Sequence, residues 1–209
     1  MTTSPPLEQS TSRTDSMPDG ERPPGSNASA TGSPEPLISM HVVRTERLAL
    51  VALTPEFARA ALEDRAKLGR ILGARVPETW PGADFAGMLP RIARRSENLS
   101  PGAGLTRLIV HTADETLIGE TGFHGPPDAS GTVEVGYSIV PAYRGLGFAV
   151  EATRALIRES LAWPGIRRIT AECLDDNAAS LLVLEKLGMR RVGSAGATLR
   201  FELRRGQAP

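Results

Sequence analysis

The sequence has little of what marks several large classes of protein. Its 209 residues include one cysteine, Cys173, so no disulfide can form within the chain, and we expect this side chain to be a small core residue. No apolar run reaches the roughly 18 residues of a membrane span, and the N-terminus lacks the apolar core of a signal peptide. Acidic and basic residues number 24 each, without the basic excess of nucleic-acid-binding proteins. We therefore expect a cytoplasmic protein that binds neither nucleic acid nor membrane.

The N-terminal segment differs in composition from the rest of the chain. Residues 1–39 hold 7 of the 17 prolines, many Ser and Thr, and almost no large apolar side chains. Such a segment buries too little surface to offset the entropy lost on ordering, which predicts a disordered tail. Three interpretations of this segment stay open: a regulatory arm, an inert extension, or a gene start placed too early, with Met40 as the true first residue. We assign residues 40–205 to one α/β domain and 206–209 to a short C-terminal tail.

The hydrophobic periodicity predicts the order β-α-α-β-β-β-α-β-α-β-β. The order indicates a mixed, mostly antiparallel sheet of about seven strands, flanked on both faces by about four helices. Thr54 followed by Pro55 marks the start of the first helix, and Asp114-Glu115 form a hairpin turn. The predicted strands are 41–53, 106–112, 116–125, 133–140, 166–174, 190–195 and 198–204, and the helices are 55–72, 84–98, 146–162 and 177–187.

The turn from the strand 133–140 into the next helix carries Arg144-Gly145-Leu146-Gly147. Glycines there allow positive φ angles and turn successive N–H groups toward one point, where the helix dipole adds partial positive charge. The site suits a phosphate or pyrophosphate, and Arg144 adds a full charge. Two alternatives stay open from this turn alone: a glycine-rich turn without a ligand, and a nucleotide-binding βαβ unit. The second lacks the third glycine of its motif, since position 150 is valine.

Several blocks together resemble the GNAT superfamily of N-acyltransferases. The spacing Arg144-x-x-Gly147-x-Ala149 is similar to its pyrophosphate loop. Asn177-x-x-Ser180 followed by LEKLGM at 184–189 resembles its N-x-x-S…L-E-K-L-G-F block. The stretches 118–137 and 43–50 resemble strands of the branch that includes the RimJ/RimL-type ribosomal-protein N-terminal acetyltransferases. The resemblance covers residues 42–205 and implies a GNAT fold.

The resemblance also implies an activity and a set of contacts. It implies acetyl transfer from acetyl-CoA, the cosubstrate, to a primary amine of a protein N-terminus or small molecule, by direct attack on the thioester. Coenzyme A would lie between the strands 133–140 and 166–174, with an oxyanion donor among the backbone N–H groups of Ser138–Val140. The implied contacts are Ile139, Val140, Arg144, Gly145, Leu146, Gly147, Phe148, Ala149, Asn177 and Ser180, and no metal ligand is implied.

The catalytic groups are less sharply indicated. Glu134 is the candidate base, directly or through water, because its strand leads into the implied cleft; a surface salt bridge is the competing interpretation. Glu120 and His124, four residues apart on one face of the neighbouring strand, come second. Many family members have a tyrosine acid where this chain has Leu184, so Ser180 is the candidate contact to the sulfur. Trp80, in a turn-rich stretch, is expected either to be an exposed recognition residue or to anchor packing.

Two other functions are compatible with the sequence. One is a non-catalytic acyl-CoA-binding module of the same fold, and the other is a nucleotide- or dinucleotide-binding protein of another fold. Neither the acceptor, nor a preference for another acyl-CoA, nor the choice between a monomer and a homodimer can be read from these residues.

Overall fold

The computed structural model describes residues 42–94 and 106–207. One mixed sheet contains the eight strands of this part of the chain, in the order β1-β2-β3-β4-β5-β6-β8-β7. The predicted tail 1–39 lies outside the described residues, so the domain boundaries stay predictions. The strands are β1 Val42–Arg44, β2 Leu48–Ala52, β3 Thr106–His111, β4 Thr116–Phe123, β5 Thr132–Ile139, β6 Arg168–Leu174, β7 Arg190–Ala195 and β8 Thr198–Arg204.

The sheet confirms the predicted class, and the parallel pairing of two central strands is associated with an opening. β5 and β6 pair in parallel, whereas their other neighbours pair antiparallel. Their register runs only from Thr132 opposite Arg168 to Glu134 opposite Thr170. Beyond Glu134 the two strands separate, and the C-terminal half of β5 has a partner, β4, on one side. The sheet is therefore split at its centre.

The helices are shorter than their periodicity predicts. They are α1 Pro55–Glu63, α2 Arg65–Leu72, α3 Ala83–Ala86, α4 Leu89–Ala93, α5 Phe148–Leu161 and α6 Ala178–Lys186. The single helix predicted over 55–72 is wrong, because Asp64 adopts an extended backbone and its carboxylate caps α2 by accepting from Ala66 and Lys67 N–H. The helix predicted over 84–98 divides at Gly87 and Met88, and residues 95–98 lie outside the described chain.

The first predicted strand is also two elements. Residues 45–47 form a turn between β1 and β2, which pair with each other antiparallel, so the described residues form eight strands instead of about seven. β2 does not show the alternating burial that its sequence suggests: residues 48–51 are all buried. The reason is that helices cover both faces of the sheet where β2 crosses it.

Two apolar clusters hold the layers together on the two halves of the sheet. The first joins β2 and β3 to α1, α2 and α4, and the second joins β6 and β8 to α5 and α6. α5 packs on the face of β4 that carries Thr121, whose hydroxyl hydrogen-bonds Thr153 at 3.2 Å. Glu120, the preceding residue, consequently faces the opposite side of the sheet. In the part of the chain that the structure describes, no helix has the length and apolar character needed to cross a membrane.

Candidate active site

The open side of β5 presents backbone groups that have no strand partner beside the split in the sheet. Val140 N–H donates to Ile118 C=O at 2.8 Å, so it points toward β4. Because N–H directions alternate along an antiparallel ladder, Ile139 N–H points the other way, into the gap beyond the paired part of β6. Arg144 Nε donates to Ile139 C=O at 2.8 Å, which agrees with that direction. Of the predicted oxyanion donors, Val140 is therefore already engaged and Ile139 faces the gap.

The turn after β5 has the backbone that its glycines predict. Gly145 and Gly147 have φ angles of 75° and 83°, and Gly147 is the N-cap of α5. Arg47 supports this turn from behind, donating to Leu146 C=O at 3.1 Å and to Glu151 Oε2 at 2.7 Å. Its guanidinium also lies 4.3 Å from the centre of the Phe148 ring. The turn is thus braced by the β1–β2 connection, with its N–H groups at the start of a 14-residue helix.

The start of α6 borders the same gap. Asn177 Oδ1 accepts from Ser180 N–H at 3.1 Å, which caps the N-terminus of the helix. Tyr137, on β5, donates its hydroxyl to Ser180 C=O at 3.3 Å and so ties α6 to the sheet. Burial raises the pKa of Tyr137 to about 12, and the Ser180 contact lowers it in part.

Two cavities meet at the gap. The turn cavity, about 470 Å³, lies between the turn 143–149, the end of β5 and the start of α6. The sheet cavity, about 500 Å³, lies over β4 and β5 beneath α3. Both are lined by Asp84, Tyr137, Ser138, Arg144 and Ser180. A ligand in the turn cavity and another in the sheet cavity could therefore touch each other beside Ser138.

Comparison with known proteins identifies the family. Residues 47–190 match the model of the acetyltransferase (GNAT) domain. The chain is 32% identical over 150 residues to the uncharacterized N-acetyltransferase YjdG of Bacillus subtilis (strain 168), covering 71% of this chain and 89% of the relative.

This protein belongs to the GNAT acetyltransferase family.

Solved structures of acetyltransferases share the fold. One is a ribosomal-protein-S5-alanine acetyltransferase from Vibrio fischeri, with a TM-score of 0.59 at 17% identity, covering 81% of this chain and 99% of that one. Another is the ribosomal L7/L12 α-N-protein acetyltransferase RimL in complex with coenzyme A, with a TM-score of 0.58 at 17% identity, covering 78% and 98%. Structural neighbours of this GNAT domain thus include ribosomal-protein acetyltransferases, as the sequence indicates.

Most of the predicted coenzyme contacts lie together in the structure. Val140, behind the strand pairing, and Leu146, which is 56% exposed, are not among the described residues that line either cavity. The role of each contact stays a prediction. The predicted contacts that line the turn cavity are Ile139, Arg144, Gly145, Gly147, Phe148, Ala149, Asn177 and Ser180.

Glu134, the sequence's candidate base, lies away from the meeting point of the cavities. It occupies the last residue of β5 that is still in register with β6, and its side chain is 40% exposed. Its Oε1 is 3.0 Å from Nδ1 of His124, so the two form a pair at the rim. Of the two, His124 lines the sheet cavity. The salt-bridge interpretation of Glu134 therefore describes its observed contact, and its role as base stays a prediction.

Glu120 occupies a more enclosed position. It is 4% exposed and lines the sheet cavity, where Oε2 accepts from Trp80 Nε1–H at 2.7 Å. Burial raises its pKa to about 7, while hydrogen bonds from Trp80 and the Ser138 hydroxyl oppose the rise. Trp80 is 2% exposed, so the expectation of an exposed recognition residue is wrong and the packing-anchor alternative is confirmed.

Several side chains that line the cavities were given no role by the sequence, among them those of Tyr137, Ser138, Asp84 and Glu172. Tyr137 ends the family-like stretch 118–137 and the Ser138 backbone is among the predicted oxyanion donors, but neither side chain was assigned a role. Period-two alternation could have placed the Ser138 side chain on the face of Glu134. Asp84 and Glu172 add carboxylates to the sheet cavity. Glu172 pairs with Arg200 at 2.8 Å.

Proposed function

We propose that this protein transfers the acetyl group of acetyl-CoA to a primary amine, of a protein N-terminus or a small molecule, by direct attack on the thioester. The observation that carries the proposal is the junction of two cavities at an open strand edge, one beside an anion-suited turn and the other lined by carboxylates. Such a junction brings a thioester and an amine together without an intermediate on the protein.

In this proposal the turn cavity holds coenzyme A. The N–H groups of residues 145–148, the α5 dipole and Arg144 bind the pyrophosphate, since all three favour negative charge at one place. The pantetheine arm lies along the open edge of β5, where it hydrogen-bonds backbone groups that have no strand partner. The residues Asn177 and Ser180 border the arm from the other side.

The chemical step needs an oxyanion donor and a leaving group. Ile139 N–H takes the developing negative charge of the thioester oxygen, as a fixed backbone donor in an enclosed site. The departing sulfur resembles a cysteine thiol with a pKa of about 8.5, so it needs little help to leave. The Ser180 side chain, which lines both cavities, supplies a hydrogen bond to it at most.

The amine must lose a proton before it attacks. At pH 7 deprotonation costs about 4–5 kcal/mol for an alkyl amine with a pKa near 10.4, and about 1 kcal/mol for an α-amine near 7.8. The carboxylates of Asp84, Glu120 and Glu172 favour entry of the cationic form into the sheet cavity. A base is then needed inside it, and Glu134 is the base that the sequence predicts.

The proposal is tested by thermal unfolding with acetyl-CoA and by thiol release. Acetyl-CoA should raise the Tm of the wild type, because a ligand of the folded state stabilises it by mass action. Gly147→Glu should abolish that rise by adding a carboxylate to the turn. Gly147→Ala is the matched control: it shares the strain at φ 83° and meets Arg47 at an ordinary 3.6 Å, but adds no charge.

Turnover is followed as free thiol released from acetyl-CoA in the presence of a tripeptide with a free N-terminus or of an alkyl diamine. Release with either amine supports the proposal. An undiminished Tm rise in Gly147→Glu contradicts the pyrophosphate assignment, and a protein that binds acetyl-CoA but acetylates no amine of a broad panel is a binding module instead.

A further inference from the structure

We propose that Glu120 is the proton acceptor for the attacking amine and that Trp80 and Ser138 position its carboxylate. The inference rests on the proposed function and names the base of that same site. It reverses the order of the sequence-based candidates, in which Glu134 comes first and Glu120 and His124 come second.

Strand register places Glu120 at the reaction centre. Glu120 on β4 pairs with Ser138 on β5, and Ser138 directly precedes Ile139, whose N–H faces the gap. Directly paired residues of an antiparallel sheet have Cβ atoms about 5 Å apart and point to one face. The carboxylate therefore lies beside the point where the two cavities meet. Glu134 is four residues before Ser138 on β5, which is about 13 Å along the strand, in the part still paired with β6.

The carboxylate of Glu120 is held by donors from two different elements. Trp80, in the connection between α2 and α3, reaches it with the indole N–H at 2.7 Å, and the Ser138 hydroxyl approaches from β5. An indole nitrogen only donates, so it can bind the ionised carboxylate but cannot receive its proton. Two donors fix the orientation of the carboxylate while its remaining lone pairs stay available to a proton from the cavity.

Burial and the two hydrogen-bond donors together give the Glu120 carboxylate a pKa that suits a general base. Burial raises the pKa of Glu120, the two donors lower it, and the outcome is about 7. A base with a pKa near the working pH is the most effective, since it is ionised yet binds a proton well. The other titratable or charged residues that line the sheet cavity are Asp84 on α3, His124 after β4, Tyr137 on β5, Arg144 in the turn after β5 and Glu172 on β6. Glu172 and His124 have partners in Arg200 and Glu134.

The proton balance closes within the site. The ammonium form of the substrate gives one proton to Glu120, and the neutral amine attacks the carbonyl carbon. The C–N bond forms, the C–S bond breaks with its electron pair going to sulfur, and the second amine proton ends on the sulfur. The products are the amide, the CoA thiol and protonated Glu120, which returns its proton to water.

The first test compares two glutamates on the same face of the sheet. Glu120→Gln keeps the shape and an acceptor for Trp80 but removes the base, and should lower kcat/KM for the alkyl diamine at pH 7 about 10²–10⁴-fold. The loss should be smaller for the tripeptide, whose α-amine is partly neutral already. Glu134→Gln should lower kcat/KM about tenfold or less. Acetyl-CoA should still raise the Tm of both variants, which separates loss of base from loss of coenzyme binding.

The second test uses the pH profile. Trp80→Phe removes one donor but keeps a buried aromatic ring, so the acid limb of kcat/KM should move upward by about one pH unit. Ser138→Ala should move it in the same direction, and serves if Trp80→Phe folds poorly. If Trp80 had only a structural role, Trp80→Phe would lower kcat/KM without moving the acid limb of its pH profile.

The outcomes are distinct. If the wild type acetylates an amine but Glu120→Gln does so at nearly the same rate, or if Glu134→Gln is the more damaged variant, the assignment to Glu120 is overturned while the proposed function stands. An acid limb that stays in place in both donor variants overturns the positioning roles. A wild type that acetylates no amine overturns both proposals.

Discussion

Replacing Glu120 should change how the stability of this protein depends on pH. The pKa of Glu120 is raised by burial from its ordinary 4.5 to about 7 in the folded protein. Between those values the folded protein keeps a proton that the unfolded chain has lost. The free energy of unfolding of the wild type therefore falls as the pH rises through this window, and its full contribution is present only below about pH 4.5. Glu120→Gln cannot titrate there, so its stability should lack this fall.

The size of the effect follows from the displacement of the pKa. A displacement of about 2.5 corresponds to about 3 kcal/mol, at about 1.4 kcal/mol for each pH unit. The figure applies with little screening by solvent, since Glu120 is 4% exposed. Glu120→Gln should therefore gain about 3 kcal/mol relative to the wild type on going from pH 4.5 to pH 8. For a domain of this size that is a relative rise in Tm of about 6–12 °C.

Urea denaturation at several pH values between 4.5 and 8 measures the difference directly, because the midpoint and slope give the free energy of unfolding at each pH. Glu134→Gln makes the same exchange at a side chain that is 40% exposed, where water solvates the charge, and serves as the control. A difference between Glu120→Gln and the wild type that stays constant over this range would refute the argument that Glu120 is a desolvated carboxylate.

Two further predictions concern the thiol and the tail. Ser180→Ala should lower kcat less than about a hundredfold with little change in the KM for acetyl-CoA, because a thiolate leaves without full protonation. Steady-state release of free thiol measures both constants, and a loss of kcat beyond about a thousandfold would make Ser180 a general acid. Deletion of residues 1–39 should leave the Tm and the rise caused by acetyl-CoA intact, because the segment has almost no large apolar side chains to add to a core; a markedly lower Tm in the shortened protein would contradict this.

The class of fold, the backbone of the turn after β5 and the start of α6 were predictable because they depend on local signals. Glycines at a strand-to-helix turn specify their own φ angles, and Asn177 caps α6 through an atom three residues away. The division of the first helix was also readable in principle. Asp64 is a good N-cap residue, but apolar residues recur at helical spacing on both sides of it, so the pattern does not show that one helix ends there and another begins.

The burial of Trp80 and the raised pKa of Glu120 were not predictable, because both depend on how the chain packs residues that are 40 positions apart. Alternation correctly puts Glu120 and His124 on one face of β4, yet it cannot tell which of them a loop covers. The outcome differs widely: Glu120 is enclosed, whereas the His124 side chain is 52% exposed. The family resemblance favours Glu134 because it identifies the strand that leads into the cleft. It does not show at which residue of that strand β5 and β6 separate.

Under the proposed function, leucine at position 184, where many family members have a tyrosine, places the catalytic demand on the amine instead of on the leaving group. Tyr137 lines both cavities and is therefore a tyrosine that could replace the missing acid. Its hydroxyl, however, donates to Ser180 C=O, and burial raises its pKa to about 12. Proton transfer from Tyr137 to a thiolate whose conjugate acid has a pKa near 8.5 therefore costs about 5 kcal/mol, more than the transfer from an ordinary tyrosine. Tyr137 therefore serves to fix α6 against β5. Under the proposed function the departing sulfur receives a proton from the amine itself, which makes removal of the first amine proton the step that the protein must assist. The enclosed carboxylate of Glu120 is placed for that step.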